Sequence, residues 1–281
     1  MPELPEVDAL VNFLRSHIVG DFISRTDIGE LSILKTADPP LAAISGLEIS
    51  GASRVGKALV IELDGLELVC RFARAGWLVW HDQVPSGPVR MGKGPLALRI
   101  HLASGAGFDI SEAGTKKNAA VSLVTDRAAV SAIANAGPDA LSIGVEEFTA
   151  ALAGSTARIK TVLGDQNLIA GIGNAYSDEI LHTAQLSPFA PANRVDAPAL
   201  LETIREVLGQ AREALFDLPP AKVKAAKKRT FCVHGRAGQT CPVCGSTIAE
   251  VSYADKSLQY CPGCQTGGKK LSDRRMDRLL K

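Results

Sequence analysis

Two stretches of this 281-residue chain carry residue types whose spacing implies chemistry. The first is the start, Met1-Pro2-Glu3-Leu4-Pro5-Glu6-Val7. A small residue after the initiator Met generally permits its removal, which would leave Pro2 as a secondary amine with the Glu3 carboxylate as its neighbour. A free α-amino group titrates near about 7.7–8.0, so a usable fraction is unprotonated and nucleophilic at neutral pH. An adjacent carboxylate supplies an acid/base partner. The same residues also read as a helix start, because Pro5, Glu3 and Glu6 suit a first turn and Leu4, Val7, Leu10, Val11 and Leu14 recur at helical spacing. The second stretch is Cys241-x2-Cys244-x16-Cys261-x2-Cys264. Four thiolates in two CxxC knuckles match one structural Zn2+ in a closed tetrahedral site, with no coordination position left for reaction. Cys232 and His234 lie close by as bystanders. Lys256, between the knuckles, is placed to touch phosphate.

Three further stretches carry weaker signals. In Asp165-Gln166-Asn167-Leu168-Ile169-Ala170-Gly171-Ile172-Gly173-Asn174 the glycines permit a tight turn, with Asn174 where a helix begins. Such a turn is either a phosphate cradle or an ordinary connection between helices. Asp178 and Glu179 read as acidic residues in that helix's first turn. Arg54-Val55-Gly56-Lys57 places Lys57 at the start of an apolar strand, where a lysine is ordinarily solvated. Phe72-Ala73-Arg74-Ala75-Gly76-Trp77 interleaves arginine and aromatics between two strands and also reads as a hairpin loop with a core Trp.

The elements that must position these residues follow from the hydrophobic pattern. After a first helix to about Gly20, short runs of period-2 or continuous apolar character recur, among them 58–63, 66–70, 77–80, 96–102, 107–110 and 120–124. Asp64-Gly65 is a hairpin signal between two of them, and the whole reads as a β-sandwich or barrel to about residue 130. Helical spacing then covers Val145–Leu152, Ile159–Leu163, Ala175–Thr183 and Ala197–Phe216, and Pro219–Arg229 reads as a basic linker. The expected organisation is α+β and multidomain, with boundaries 1–130, 131–225 and 226–281.

Hydrophobic residues make up 46% of the chain, enough for a sizeable core, and no run approaches the length of a membrane span. The N-terminus lacks the features of a signal peptide, so a cytoplasmic protein is expected. A net charge of +1 hides an asymmetry: residues 222–281 hold 13 Lys+Arg against 4 Asp+Glu, and residues 1–221 hold 18 against 26. A basic end of this kind suits a polyanion.

Taken in order, the Pro-Glu-Leu-Pro-Glu-Val start, the Asp-Gln-x3-Ala-Gly-Ile-Gly-Asn-x-Tyr-x-Asp-Glu stretch and the four-Cys finger resemble the formamidopyrimidine-DNA glycosylase / endonuclease VIII family, over nearly the whole chain. The resemblance implies an N-terminal β-sandwich with a flanking helix, a helical domain with a helix–two-turn–helix, and a C-terminal zinc-finger hairpin. It implies a base-excision-repair glycosylase for oxidised bases with AP lyase activity, acting as a monomer on double-stranded DNA that contains damaged bases or abasic sites. Pro2 would attack deoxyribose C1′ and form a Schiff base. Glu3 would be the acid/base group, and Lys57 and Lys256 would assist. Lys57, Arg74, Lys160, Asn174 and Lys256 would touch DNA. Strand cleavage would follow by β-elimination. The target base would be swung out of the duplex.

The sequence also departs from the family pattern. Arg71 and Arg74 stand where a His and a void-filling Met are usual. Ser111–Asn118 replaces the Asp-Pro-Arg-Arg-Phe-Gly loop, and Lys256 takes the place of an Arg. These changes leave open 8-oxoguanine specificity and δ-elimination. They also admit an alternative, a catalytically impaired protein of the same fold that binds lesions or unusual DNA structure.

Overall fold

Alternating apolar residues in the first 125 positions build two four-stranded antiparallel sheets that share one core. The computed structural model describes residues 1–92, 94–115, 117–253 and 256–272. It divides into two compact units, Met1–Ala136 with Arg212–Lys227, and Gly137–Ala211 with Lys228–Lys281. Helical and cysteine-rich segments, set apart by sequence character, therefore share the second unit, and residues 212–227 count with the first.

In the first unit, α1 (Leu4–Ile18) is followed by β1 (Ile23–Ile28), β2 (Ile49–Val55), β3 (Ala58–Leu63), β4 (Glu67–Arg71), β5 (Gly76–His81), β6 (Leu96–Leu102), β7 (Gly107–Glu112), β8 (Ala120–Val124) and the short α2 (Ser131–Ala134). The sheets run β1-β6-β7-β5 and β2-β3-β4-β8. Leu78, Leu98 and Ile110 of one sheet, Leu59, Ile61 and Leu123 of the other, and Leu10 and Leu14 of α1 fall in a single buried cluster. This is the expected sandwich with its flanking helix. The continuous apolar run of β3 has a second cause: Val60 and Val69 face outward onto Val130 and Ile133, so the sheet is covered on both sides. Cys70 belongs to the core, where burial pushes its thiol up to about 12 and makes it inert.

α1 begins with a reciprocal cap. The Glu3 backbone N–H donates to the Glu6 carboxylate at 2.8 Å, and the Glu3 side chain accepts from the Glu6 backbone. The helix is tied to β2 by Arg15 Nε to Ala52 O at 2.6 Å and by Arg54 to Asp8 at 2.5 Å, and Arg212 also pairs with Asp8 at 2.5 Å.

Two tight turns of this unit present side chains named above. Val55 pairs with Ala58, so Gly56-Lys57 is a two-residue hairpin loop, and Gly56 has the positive φ of 53° that its first position requires. Between β4 and β5 the Phe72 carbonyl accepts from Gly76 N at 2.8 Å, closing a loop in which Ala73 takes φ 49° and Arg74 is exposed.

The second unit contains α3 (Val145–Ala153), α4 (Ile159–Leu163), α5 (Asn174–Thr183), most of α6 (Ala197–Leu215), the end of α7 (Pro220–Thr230), the hairpin β9 (Ala249–Tyr253) and β10 (Lys256–Tyr260), and α8 (Pro262–Thr266). Its buried residues include Phe148, Ile159, Leu163, Tyr176, Ile180 and Leu201.

The stretch Pro219–Arg229, expected to be a linker, is a helix instead. Val223 is fully buried in the first unit's core, and the Trp77 indole N–H donates to Pro220 O at 3.2 Å. Tertiary docking of one apolar stripe holds a segment whose lysines gave no periodic signal. The tail arginines Arg274, Arg275 and Arg278, with Lys281, lie outside the described residues.

The loop that carries Arg74 supplies a test. A Cβ at Gly76 would lie 1.9 Å from the Phe72 carbonyl oxygen. Gly76→Ala is expected to cost about 2–3 kcal/mol of stability, read as a lower denaturant midpoint at unchanged slope.

Candidate active site and nucleic-acid interface

Two of the residues of the first unit that could act on a substrate stand at the start of α1. Pro2 and Glu3 are buried at its start, and Glu6 one turn on is 1% exposed. Glu6 does not dress the helix dipole from the surface; its Oε2 takes the Glu3 N–H and an ion pair from Lys227 Nζ at 2.5 Å. Burial pushes the Glu6 carboxyl up and the Lys227 charge pulls it back. The amine of the chain terminus, carried by Met1, is pushed down, chiefly by burial and next by Lys227, with Glu3 and Glu6 opposing. Lys57, half-buried at the hairpin tip, follows Arg54, which pairs with Asp8 on α1. One helix therefore holds Pro2 and Glu3 and is tied to the strand leading to Lys57.

The described residues after β7 are tied back to Glu112. Glu112 is 2% exposed, and its carboxylate accepts the backbone N–H groups of Asn118, at 2.9 and 3.0 Å, and of Ala119, at 2.9 Å. Lys117 donates to the Glu112 carbonyl.

In the second unit the turn before α5 is fastened by Gln166, whose amide donates to Ile172 O at 2.7 Å and accepts from Gly171 N at 3.1 Å. Gly171 has φ 108°, open to glycine alone. Gly173 caps the helix and Asn174 is its exposed first residue. The Asn174 side-chain amide donates to Ser257 O at 2.8 Å, which brings the start of β10, and with it Lys256, beside the turn. The Lys256 side chain lies outside the described set.

Lys160 is tied to the start of α5. Its ammonium donates to Asn174 O at 2.7 Å, Ser177 Oγ at 2.8 Å and Asp178 Oδ1 at 2.6 Å, so it faces inward and serves α5.

Asp178 and Glu179 differ too, since neither lies in the first turn of α5. Asp178 is fully buried between Lys160 and His234 Nδ1, the latter at 2.7 Å. Glu179 accepts the backbone N–H groups of Cys232, Val233 and His234 at 2.7, 3.0 and 2.7 Å. Burial raises the Glu179 carboxyl, and those three donors oppose it. His234 and Cys232 are thus anchors of the finger's approach rather than ligands.

The four cysteines converge as their spacing requires. Cys244 Sγ lies 3.3 Å from Cys261 Sγ, and Cys241 Sγ lies 3.9 Å from Cys264 Sγ. A Cβ at Gly263 would fall 2.9 Å from Cys244 Sγ, so glycine lets the second knuckle close on the first. Ser246 hydrogen bonds pull the Cys244 thiol down to about 6, while burial pushes the Cys261 and Cys264 thiols up. Four convergent soft donors fit one structural Zn2+.

The CxxC spacing misses His182. This buried residue in the last turn of α5 brings Nε2 to 3.4 Å from Cys241 Sγ, and it groups with Cys241, Cys261 and Cys264 as a possible metal ligand. Its distance of 59 residues from Cys241 leaves no local signal.

A two-sheet unit with a buried start of chain, joined in sequence to a helical unit that carries a turn-helix and a zinc finger, defines a DNA-repair glycosylase fold. The comparisons agree: models for the formamidopyrimidine-DNA glycosylase N-terminal domain, its H2TH domain and the zinc finger found in FPG and IleRS match residues 1–117, 136–215 and 238–267. This chain belongs to the formamidopyrimidine-DNA glycosylase family. A formamidopyrimidine-DNA glycosylase of Leifsonia xyli is 30% identical, the match covering 94% of this chain and 99% of that one. An uncharacterized formamidopyrimidine-DNA glycosylase-like protein of Mycobacterium tuberculosis is 54% identical over 148 residues, 52% of this chain and 94% of that one. Wild-type Lactococcus lactis Fpg, solved in complex with N7-benzyl-Fapy-dG-containing DNA, is 26% identical with a TM-score of 0.82, covering 94% of this chain and 100% of that one. Among the described residues no helix is long and apolar enough to cross a membrane.

Metal removal tests the coupling between α5 and the finger. Chelation is expected to expose the amides of residues 231–267 and of α5 to hydrogen exchange while β1–β8 stay protected, because Glu179 and His182 link helix and finger within the second unit.

Proposed function

We propose that this chain is a base-excision-repair DNA glycosylase that removes oxidised bases and then cleaves the strand as an AP lyase by β-elimination. The observation that carries this is the start of α1 in a chain of this family: Pro2 and Glu3 are adjacent and buried, in a helix tied to the strand that leads to Lys57. Once Met1 is removed, the Pro2 nitrogen has a lone pair to form a bond to C1′ of the damaged nucleotide. The C1′–base bond breaks and the base leaves with the electron pair and a proton. The C1′–O4′ bond then breaks, O4′ taking a proton, and the ring-opened iminium that forms acidifies the proton on C2′; a base removes it, and the 3′ phosphate departs. Glu3 is the group placed for these sequential proton transfers.

Lys57 and the basic helical and zinc-finger surfaces would supply phosphate contacts, so binding should weaken steeply with salt. Asn174 and Lys256 are assigned to the DNA face beside the turn before α5, and Arg74 to the face presented by its loop. Zinc, when bound, closes the finger hairpin and takes no part in the reaction. Related proteins solved with abasic-site and N7-benzyl-Fapy-dG DNA support damaged DNA as the partner. The protein would act as a monomer in the cytoplasm, where bacterial DNA lies.

A second reading, a lesion-binding protein with impaired chemistry, is favoured by Arg71 and Arg74, which are both exposed at the β4–β5 turn. Borohydride reduction in the presence of abasic-site duplex separates the two. Wild-type protein lacking Met1 by intact mass should form a covalent adduct, and Pro2→Gly should lower its yield at least about tenfold. Absence of an adduct in wild-type protein that has lost Met1 would establish the second reading.

A further inference from the structure

The helix α7 carries more positive charge than docking needs, and one of its lysines is turned inward. Lys227 Nζ lies 2.5 Å from Glu6 Oε2, with 13% of its side chain exposed, and that same carboxylate oxygen accepts the Glu3 backbone N–H at 2.8 Å. Lys227 is therefore two contacts from the peptide that follows Pro2. The helix is anchored where this is possible: Val223 is in the core, Pro220 O takes the Trp77 indole N–H, and Lys224 Nζ lies 4.6 Å from the centre of the Trp77 ring. All these partners belong to the first unit.

We propose that Lys227 is a positioning residue for the Pro2 amine, acting through Glu6 and through its own charge. This deepens the Pro2 reading and rests on it. The groups that act on the Met1 amine, one residue before Pro2, are Glu3 and Glu6 from α1 and Lys227 and Lys224 from α7. Two carboxylates next to an amine would favour the ammonium form, which is no nucleophile. A buried cation on the same carboxylate counters them and favours the free amine. With the Lys227 ammonium gone from Glu6, nothing on that carboxylate counters the acids beside Pro2, so its loss should raise the Pro2 amine's pKa. Removing the Glu6 charge and keeping Lys227 should have the opposite effect. In addition, the ion pair holds the Glu6 carboxylate in place for the Glu3 N–H, which fixes the direction in which the chain leaves α1. With its ammonium on Glu6, Lys227 is not aimed at phosphate.

The test is the pH dependence of single-turnover borohydride trapping on abasic-site duplex, with affinity for a reduced abasic analogue measured in parallel. Lys227→Met should move the alkaline-rising limb of the trapping rate up by about half a pH unit or more, about threefold slower at neutral pH, with affinity unchanged. Glu6→Gln should move it down, and Lys227→Arg should stay at the wild-type position. Profiles for Lys227→Met and Glu6→Gln that superpose on wild type, or shifts of the same sign, would overturn the proposal. A loss of affinity in Lys227→Met without a displaced limb would also overturn it and assign Lys227 to phosphate. Wild-type protein that forms no adduct at any pH would instead remove the Pro2 reading, so the two failures are distinguishable. Circular dichroism of Lys227→Met and Lys227→Arg guards against misfolding, since an unfolded variant would lose affinity together with trapping.

Discussion

Buried carboxylates that accept backbone N–H groups are the interaction on which both units depend. Glu179 is the fullest case, because its two oxygens receive three consecutive amides of the segment leading to the cysteine knuckles. Without Glu179 the buried Val233 N–H would be left unmatched, costing about 1–3 kcal/mol, and two part-buried neighbours would lose their partner. Asp178, next on the same helix, takes Lys160 on one oxygen and His234 on the other. α5 thus secures the turn at its start through Lys160, the lead-in through Asp178 and Glu179, and the metal cluster through His182 at its end. A ten-residue helix organises a unit that contains a sequence-distant finger.

The first unit repeats this logic on different elements. Glu6 takes an amide of the chain start, and Glu112 takes two from the loop after β7. Asp8 draws together Arg54 of β2 and Arg212 from far along the chain. Glu62 and Glu67 face each other across β3 and β4, where like charges would repel, and Arg127 pairs with both. Most of these acids are buried or partly buried, and most of their partners come from another element. Charge here fixes positions, and the hydrophobic cores supply the bulk of the stability.

Much of this was legible before the coordinates. The sandwich strands, α1, α4 and α6 follow from apolar periodicity, and the zinc knuckles follow from spacing, because both signals are local. The inward lysines were not legible. Nothing in Lys160 or Lys227 separates an ammonium held by a buried acid from one in water, since the deciding partners are 18 and 221 residues away. Helix α7 was missed for a related reason: with Val223 and Ala226 the chief apolar positions among its lysines, it shows no amphipathic period and depends on the core it meets. Acidic residues at a helix start were read as dipole partners, whereas Glu6, Asp178 and Glu179 are buried anchors.

The Glu112 arrangement has a consequence for how such a protein diversifies. The described part of this loop is held by one internal carboxylate, by main-chain amides and by the Lys117 ammonium. Substitutions at its other exposed positions change what it offers a neighbour without touching those ties.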